Sequence, residues 1–345
     1  MKAAVFHGPN QPLKVEEVPT PRPGAGEILV KVAACGVCHT DMHYIDHGVP
    51  TFKKPPMILG HEASGTVAEL GEGVTKWKVG DPVLLPAVLS CGVCRQCRTG
   101  RENICQNMQM FGNHVDGAYA EYLLAPAKDT LAIPDGVPLI EGSIIADAIS
   151  TPFHAVVNRA NVKPGDWVAV FGCGGVGINC VQVAAAVGAS VIAVDLVPEK
   201  LEFAKMLGAE YTINPAEVEK GRVDKAIKKL IGDGVDVAFE AIGNPKTITA
   251  AYNTIRMGGM CVVIGYTHLP AEIPVSKLMF FEQSLVGSLG CRPVDYPRII
   301  EMARIGKIKV KELVTGSVGF DNINDAFDLL RNNDPKTLRT VFIPE

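Results

Sequence analysis

The stretch 167–195 constrains the fold more than any other part of the chain. Trp167 to Phe171 is an apolar run of strand length, and glycines follow it at once at 172, 174, 175 and 177. A helical pattern then continues to Val187, and a second apolar run, 190–194, ends at Asp195. Strand, glycines, helix, strand and terminal acid in this order predict a dinucleotide-binding α/β fold, although a bare glycine motif is weak evidence. A glycine-rich turn in a generic α/β sheet is the alternative.

The glycine segment has a physical role in such a fold. Glycines permit a tight turn and let a pyrophosphate approach the N-terminus of the helix closely. Asp195 lies 18 residues after Gly177, where it can accept hydrogen bonds from both hydroxyls of an adenosine ribose. The predicted cofactor contacts in this segment are Gly172, Gly174, Gly175, Val176, Gly177 and Asp195.

The rest of the chain divides around this segment. A length of 345 residues suits two domains. Residues 1–150 show short alternating strands separated by Gly/Pro turns, which predicts a β-rich domain. The α/β domain is expected over 151–290, with strands at 235–240 and 260–264 and a helix at 245–256 between them. Residues 291–345 are expected to return to the first domain.

Four cysteines inside the β-rich region predict a metal site. Their spacing is three, three and eight residues, and four thiolates on one loop can close a tetrahedron around zinc with no position left for substrate. The site would therefore be structural. An iron–sulfur cluster is the competing interpretation, although the proline that follows the last cysteine of bacterial ferredoxins is missing here. The four residues are Cys91, Cys94, Cys97 and Cys105.

A second candidate metal site lies upstream. Six consecutive residues from Cys38 hold a thiol, two imidazoles, a hydroxyl and a carboxylate, and the Gly-His-Glu segment around His61 adds an imidazole and a second carboxylate. Cys38 and His61 are candidate ligands of a reactive zinc, which takes only three protein ligands and keeps one position open. Thr40 and His43 could pass a proton. The plain alternative is that a lone Cys or His simply packs in the core.

Composition excludes several other classes of protein. A net charge of −4 gives no broad basic field for nucleic acid or an acidic membrane. Charge, Gly or Pro interrupts each apolar run well short of about 18 residues, and the N-terminus has no signal-like core, so a cytoplasmic protein is expected. Because that compartment keeps thiols reduced, the ten cysteines favour metal binding or catalysis over disulfides. Five lone cysteines are expected to pack in the core: Cys35, Cys173, Cys180, Cys261 and Cys291.

Taken together, these motifs resemble the zinc-dependent medium-chain alcohol dehydrogenases over nearly the whole chain. The resemblance implies a GroES-like β-rich catalytic domain with both zinc sites, a Rossmann domain with a doubly wound parallel sheet, and a substrate cleft between them. It implies two zinc ions per chain, NAD, a small-molecule alcohol or carbonyl substrate, and a homotetramer or homodimer. The implied reaction oxidises a primary or secondary alcohol, bulky or cyclic ones included, by hydride transfer from a zinc-bound alkoxide to NAD.

The resemblance also assigns the third ligand of the reactive zinc. Asp147 stands where many relatives have Cys and some bacterial members have Asp. A carboxylate oxygen binds zinc at about 2.0–2.2 Å, so the ligand set remains chemically sound. The alternative role of Asp147 is to accept backbone hydrogen bonds at a helix start. Glu62 would lie close by as a fourth or transient ligand.

Further roles follow from the same resemblance. Asp41 would orient the ligand histidine, and a proton would pass from Thr40 through a ribose hydroxyl to His43. The resemblance assigns pyrophosphate contacts to His39 and Arg339, a nicotinamide contact to Thr151 and an NAD-ribose contact to Lys200.

NAD is expected rather than NADP, because Asp195 would repel a 2′-phosphate and no arginine follows at 196–199. Members of the resembled family that prefer small alcohols narrow the pocket with an aromatic residue just before the structural-zinc loop. The matching segment here, residues 85–89, holds none, so the resemblance implies a wider substrate pocket. A polyol- or threonine-type zinc dehydrogenase stays open as an alternative. The presence of Cys38, His61 and the four-cysteine loop together argues against a zinc-free quinone reductase of the same fold. The presence of Thr40 and His43 argues against a non-enzymatic binding protein, because such a protein would not need them.

Overall fold

The computed structural model describes residues 1–344. Strands make up much of the first 132 residues and then alternate with helices. The strands are β1 Lys2–Phe6, β2 Lys14–Glu17, β3 Glu27–Gly36, β4 Met57–Ile58, β5 Glu62–Leu70, β6 Pro82–Leu85, β7 Val88–Leu89, β8 Gln109–Met110, β9 Tyr122–Pro126, β10 Leu131–Ala132, β11 Trp167–Phe171, β12 Ser190–Val194, β13 Tyr211–Ile213, β14 Val235–Glu240, β15 Ile255–Val263, β16 Ser284–Gly287, β17 Val314–Val318 and β18 Arg339–Phe342.

Most of the longer helices lie in the second half of the chain, where helices alternate with strands. The α-helices are α1 His39–His47, α2 Arg95–Arg98, α3 Ser150–Phe153, α4 Gly177–Val187, α5 Pro198–Met206, α6 Val223–Ile231, α7 Pro245–Thr254, α8 Val275–Phe280, α9 Tyr296–Arg304 and α10 Ile323–Arg331. A π-helical segment, His154–Arg159, continues α3, and a 3₁₀ segment, Glu141–Ala146, precedes it. No described helix has the length and apolar character needed to cross a bilayer.

The chain forms two compact units, and the first contains residues 1–150 and 290–345. Its main sheet has seven strands in the order β10-β6-β5-β3-β18-β17, with β9 paired to β3. The C-terminal strand β18 pairs with Cys35 and Gly36 at the end of β3. A second sheet, β2-β1-β4, and the short pair β7-β8 complete this unit. The tail of the chain is therefore built into the same sheet that carries the segment before Cys38.

The second unit, residues 151–289, contains one six-stranded sheet. All its strands are parallel, in the order β13-β12-β11-β14-β15-β16. Numbered within the unit this order is 3-2-1-4-5-6, the doubly wound arrangement of dinucleotide-binding folds. Val168, Ala169 and Val170 are fully buried, which explains why β11 is a continuous apolar run rather than an alternating one.

The structure corrects one predicted element boundary. The helix expected over 245–256 ends at Thr254, and β15 begins at the next residue instead of at 260. Residues 256–259 of β15 include an arginine and two glycines, and the pairing of β14 with β15 shifts register there, so no apolar run marks the start of the strand. The five lone cysteines are buried and free, as predicted.

Candidate active site and structural metal centre

The four-cysteine loop gathers its thiols into one cluster in the first unit. Cys94 Sγ lies 3.5 Å from Cys97 Sγ and 3.8 Å from Cys105 Sγ, and Cys91 Sγ lies 4.0 Å from Cys97 Sγ. A tetrahedron with Zn–S bonds of about 2.3 Å has S···S edges of about 3.8 Å. No disulfide joins any of the described cysteines. The sulfur positions therefore fit a closed tetrahedral zinc site.

Backbone N–H groups around this loop point at the sulfurs. Cys94 N donates to Cys91 Sγ at 3.4 Å, and the amides of Cys91 and Asn107 each donate to Cys105 Sγ at 3.3 Å. Backbone donors at Val93 and Cys94 lower the pKa of the Cys91 thiol to about 6. Because the thiolate is the form that binds metal, these donors favour Cys91 as a metal ligand.

The second cluster joins four residues that are far apart in sequence. Cys38 follows β3 and precedes α1, His61 and Glu62 stand at the start of β5, and Asp147 follows the 3₁₀ segment Glu141–Ala146. One ligand atom from each lies within 4.8 Å of the others. Cys38, His61 and Glu62 are buried, and the Asp147 side chain is 19% exposed. Thiol, imidazole and carboxylate donors in one pocket are a zinc ligand set.

The charges and hydrogen bonds of this cluster favour a bound cation. His61 is fully buried, and neither ring nitrogen has a hydrogen-bond partner among the described residues. The nearest carboxylate oxygens lie 3.4 Å from Nδ1, on Asp41, and 3.6 Å from Nε2, on Asp147. Burial opposes a charge on this ring, but Asp41 and Cys38 outweigh it and raise the pKa of His61 well above its usual value. Buried charges need a partner or a metal, so the donor set fits zinc.

Asp41 lies behind His61 and is itself held in place. The carboxylate is fully buried; it accepts a hydrogen bond from Tyr119 Oη at 2.7 Å and a longer one from Gly60 N at 3.4 Å. Gly60 has φ +94°, and a side chain there would meet the Tyr119 ring at 2.9 Å. The sequence prediction missed Tyr119, because a tyrosine 78 residues from Asp41 carries no local signal of this contact.

Glu62 and Arg339 form a buried ion pair in the same unit. Arg339 Nε donates to Glu62 Oε2 at 3.1 Å, and Nη2 donates to Oε1. Glu62 is fully buried and Arg339 is 4% exposed. Burial opposes the Cys38 thiolate, but Arg339 and His61 outweigh it and lower the pKa of that thiol. Glu62 was predicted to lie beside the metal and Arg339 to contact a pyrophosphate. In the structure the opposite charges of these two residues neutralise each other.

Helix α1 carries the candidate proton-transfer residues. His39, the first residue of the helix, is exposed, and Thr40 is partly buried. Cys38 Sγ donates to Thr40 Oγ1 at 3.7 Å, so the hydroxyl lies beside the ligand cluster. His43 is half-buried, and burial followed by the neighbouring His47 lowers its pKa. Thr40 and His43 are three residues apart, which places them on one face of the helix.

The glycine segment lies between β11 and α4 in the second unit. Gly172 has φ +88°, and a Cβ on Gly177 would collide with the carbonyl of Gly172. Asp195 accepts hydrogen bonds from Cys173 N at 2.7 Å and Val197 N at 2.9 Å, which fix its carboxylate beside the glycines. The segment 173–176 joins Gly172 to α4. Two further predicted cofactor contacts, Thr151 in α3 and Lys200 in α5, are 8% and 7% exposed.

These features define a class: a β-rich domain with two metal-ligand sets, in one chain with a dinucleotide-binding domain. Comparisons with known proteins agree. A family profile described as alcohol dehydrogenase GroES-like domain matches residues 24–135, and one described as zinc-binding dehydrogenase matches residues 175–304. The chain belongs to the zinc-dependent medium-chain alcohol dehydrogenase family, and its predicted fold class, a GroES-like domain with a Rossmann domain, is confirmed.

Individual relatives cover almost the whole chain. An alcohol dehydrogenase of Geobacillus stearothermophilus is 40% identical over 95% of both chains. A sorbitol dehydrogenase of Bacillus subtilis is 34% identical over 100% of this chain and 97% of its own length. Among solved structures, an alcohol dehydrogenase of E. coli CFT073 complexed with NADH has a TM-score of 0.91 and 29% identity over 99% of both chains. The chain is thus an oxidoreductase of this family.

Proposed function

We propose that the protein is a zinc- and NAD-dependent alcohol dehydrogenase that oxidises a primary or secondary alcohol to an aldehyde or ketone. The observation that carries the proposal is the convergence of Cys38, His61, Glu62 and Asp147 within 4.8 Å, beside the Thr40 hydroxyl. The names of the relatives support the reaction class, and the NADH of the solved E. coli structure supports the cofactor.

Cys38, His61 and Asp147 would hold the catalytic zinc, and Asp41 would keep the His61 ring in position. When bound, zinc lowers the pKa of a hydroxyl group that reaches it, as it does for water. Tyr119 fixes Asp41, since a tyrosine whose pKa is raised well above its usual value by burial stays protonated and continues to donate. Because Arg339 neutralises Glu62, Glu62 would bind the zinc only transiently and would not be a permanent ligand.

Thr40 would accept the proton that leaves the substrate hydroxyl, and His43 would carry it towards solvent. Both residue types can accept and donate within one exchange. The lowered pKa of His43 keeps the ring neutral, and therefore able to accept a proton, near pH 7. A positioned acid–base group contributes about 10²–10⁴-fold to a rate.

Selection of NAD over NADP would depend on Asp195. Its carboxylate is fixed by the amides of Cys173 and Val197, so it cannot easily turn away from a ribose at the glycine segment. Two like charges about 4 Å apart repel by about 4 kcal/mol at an effective dielectric near 20. Even after screening by solvent, the 2′-phosphate of NADP should therefore make the kcat/KM for NADP about 10²-fold or more lower than that for NAD.

The test is the reduction of each cofactor by a panel of linear, branched and cyclic alcohols. NAD should be used with a kcat/KM about 10²-fold higher than NADP, and Asp195→Gly should lose most of that preference. Glu199→Gln, which removes a nearby acid that follows the turn, is the matched control and should keep it. Equal efficiency of the wild type with both cofactors would contradict the role of Asp195, and no alcohol-dependent reduction of either would contradict the proposed function.

A polyol substrate is the second candidate, because the sorbitol dehydrogenase of B. subtilis matches the full length of this chain. The segment 85–89 contains only aliphatic residues and proline. Because family members that prefer small alcohols have an aromatic residue in this segment, the resemblance supports a substrate larger than a short alcohol. Including sorbitol and xylitol in the alcohol panel separates the two candidates by their kcat/KM.

We also propose a homo-oligomer, either a tetramer or a dimer. Strand β16 ends the parallel sheet with no described partner on its outer side, and the adjacent helix α8 has no buried residue. Met279 and Phe280 are 69% and 76% exposed. An open sheet edge beside exposed apolar side chains is typical of an association surface. Light scattering of the purified protein gives the mass of the assembly.

A further inference from the structure

Helix α1 carries a second histidine that touches the first. His43 Nδ1 and His47 Nδ1 lie 2.9 Å apart, and the ring centroids are 5.2 Å apart with the planes inclined by 39°. The residues are four positions apart on a nine-residue helix. Thr40, His43 and His47 therefore form one row along a single face, about 10 Å from first to last at 1.5 Å per residue.

The contact between the two rings limits their protonation. A hydrogen bond between two Nδ1 atoms needs one nitrogen that carries a proton and one that does not. The pair can then hold a single extra proton, on either ring, while this contact persists. A second proton would place two N–H groups face to face and break the contact. The pair is thus suited to passing one proton at a time.

The two rings differ in their surroundings, and His47 is the outer one. His43 is half-buried, and burial disfavours its charged form. His47 is exposed and ends α1, where the helix dipole favours a cation. Asp46 precedes it on the same helix. The charged groups opposite, on α10, are Arg331, which binds Asp46 at 2.7 and 2.8 Å, and Asp328, which binds Arg331 at 2.6 Å.

We propose that His47 extends the proton path of α1 by one residue and delivers the proton to bulk water. The proposal rests on the proposed function, in which Thr40 and His43 receive the proton of the alcohol. His43 gains that proton on Nε2 and passes the one on Nδ1 to Nδ1 of His47. The His47 imidazolium then loses the proton on Nε2 to water, and exchange of the ring protons with water returns both rings to their starting tautomers.

The experiment follows the release of one proton and the formation of NADH in the same single turnover. Stopped-flow mixing in weak buffer, with a pH indicator and NADH absorbance, gives the two rates. In the wild type both rates should agree. In His47→Gln, proton release should lag NADH formation and fall about three- to tenfold, less than the loss of about 10²-fold expected for a primary acid–base group. The matched control is His7→Gln, which should behave as wild type: His7 is another exposed histidine of the same unit, and it is paired with Glu16.

Two further arms separate a proton-transfer role from a structural one. Added imidazole should restore proton release in His47→Gln, because a diffusible base can replace a ring that only carries a proton. If proton release in His47→Gln equals that of the wild type in weak buffer, or if imidazole restores nothing, the inference is wrong. The proposed function has its own readout: it fails if Thr40→Val oxidises alcohol at the wild-type rate, whatever His47→Gln does.

Discussion

Removing one buried hydroxyl, in Tyr119→Phe, should weaken the binding of the catalytic zinc. Tyr119 Oη donates to Asp41 at 2.7 Å; the other two contacts of the carboxylate, Gly60 N and His61 Nδ1, are both 3.4 Å long. The variant keeps the ring and the shape of the core; it removes this short hydrogen bond and the longer contact of the same hydroxyl with Gly36 O at 3.4 Å. Asp41 would then hold the ligand histidine through the longer contacts alone.

The magnitude follows from the charge on the acceptor. A hydrogen bond to a charged group contributes about 1.5–3 kcal/mol. At about 1.4 kcal/mol per factor of ten, that corresponds to roughly 10- to 100-fold in affinity if all of it is expressed in metal binding. Loss of a partner behind a metal ligand has the same usual range, about 10- to 100-fold. We therefore expect zinc to leave this site at a correspondingly lower chelator concentration.

The assay equilibrates the protein with increasing chelator and measures the zinc that remains after desalting. The four-cysteine site is an internal reference, because Tyr119→Phe does not alter it. Tyr252→Phe is the matched control: Tyr252 is also fully buried, but its hydroxyl has no hydrogen-bond partner within residues 1–344. Tyr252→Phe should lose zinc at the same chelator concentration as the wild type. If Tyr119→Phe does so too, the hydrogen bond from Tyr119 to Asp41 does not support zinc binding.

Three other variants test neighbouring parts of the account. Asp147→Ala should lose the catalytic zinc and Asp147→Cys should keep it; full occupancy in the alanine variant would show that Asp147 is no ligand. Cys94→Ser should lose the structural zinc and lower Tm, because such sites contribute directly to folding; an unchanged Tm would contradict this. Thr40→Val should lower turnover about 10²-fold, and His43→Gln less, since water can replace an accessible base; a wild-type rate in Thr40→Val would contradict the relay.

Local patterns were enough to predict the dinucleotide-binding unit. Strands β11, β12 and β14 begin and end where predicted. β11 and β12 are largely apolar runs, as expected for central parallel strands buried on both faces, and β14 is apolar apart from Asp236 and its last residue, Glu240. The start of β15 was missed for the opposite reason: its first residues include Arg256 and two glycines, and they pair with β14 through a register shift. A register shift between two strands cannot be predicted from the hydrophobic periodicity of either strand.

The candidate site could be predicted only in part, for a similar reason. Cys38 and His61 belong to short segments whose chemistry is visible in the sequence. The pairing of Glu62 with Arg339 spans 277 residues and depends on β18 joining β3. The contact of Tyr119 with Asp41 likewise requires the packed sheet. Contacts that arise from tertiary packing alone leave no local pattern, even when they decide the charge of the site.

Zinc content and NAD reduction, measured on the same preparation, show whether the protein is a two-zinc, NAD-dependent alcohol dehydrogenase. Carefully purified wild-type protein should contain two zinc ions per chain and reduce NAD with an alcohol. Cys38→Ser should keep the structural zinc, lose most of the other, and lose alcohol oxidation while its melting curve changes little. One zinc per wild-type chain, iron in place of zinc, or unimpaired alcohol oxidation by Cys38→Ser would contradict the account.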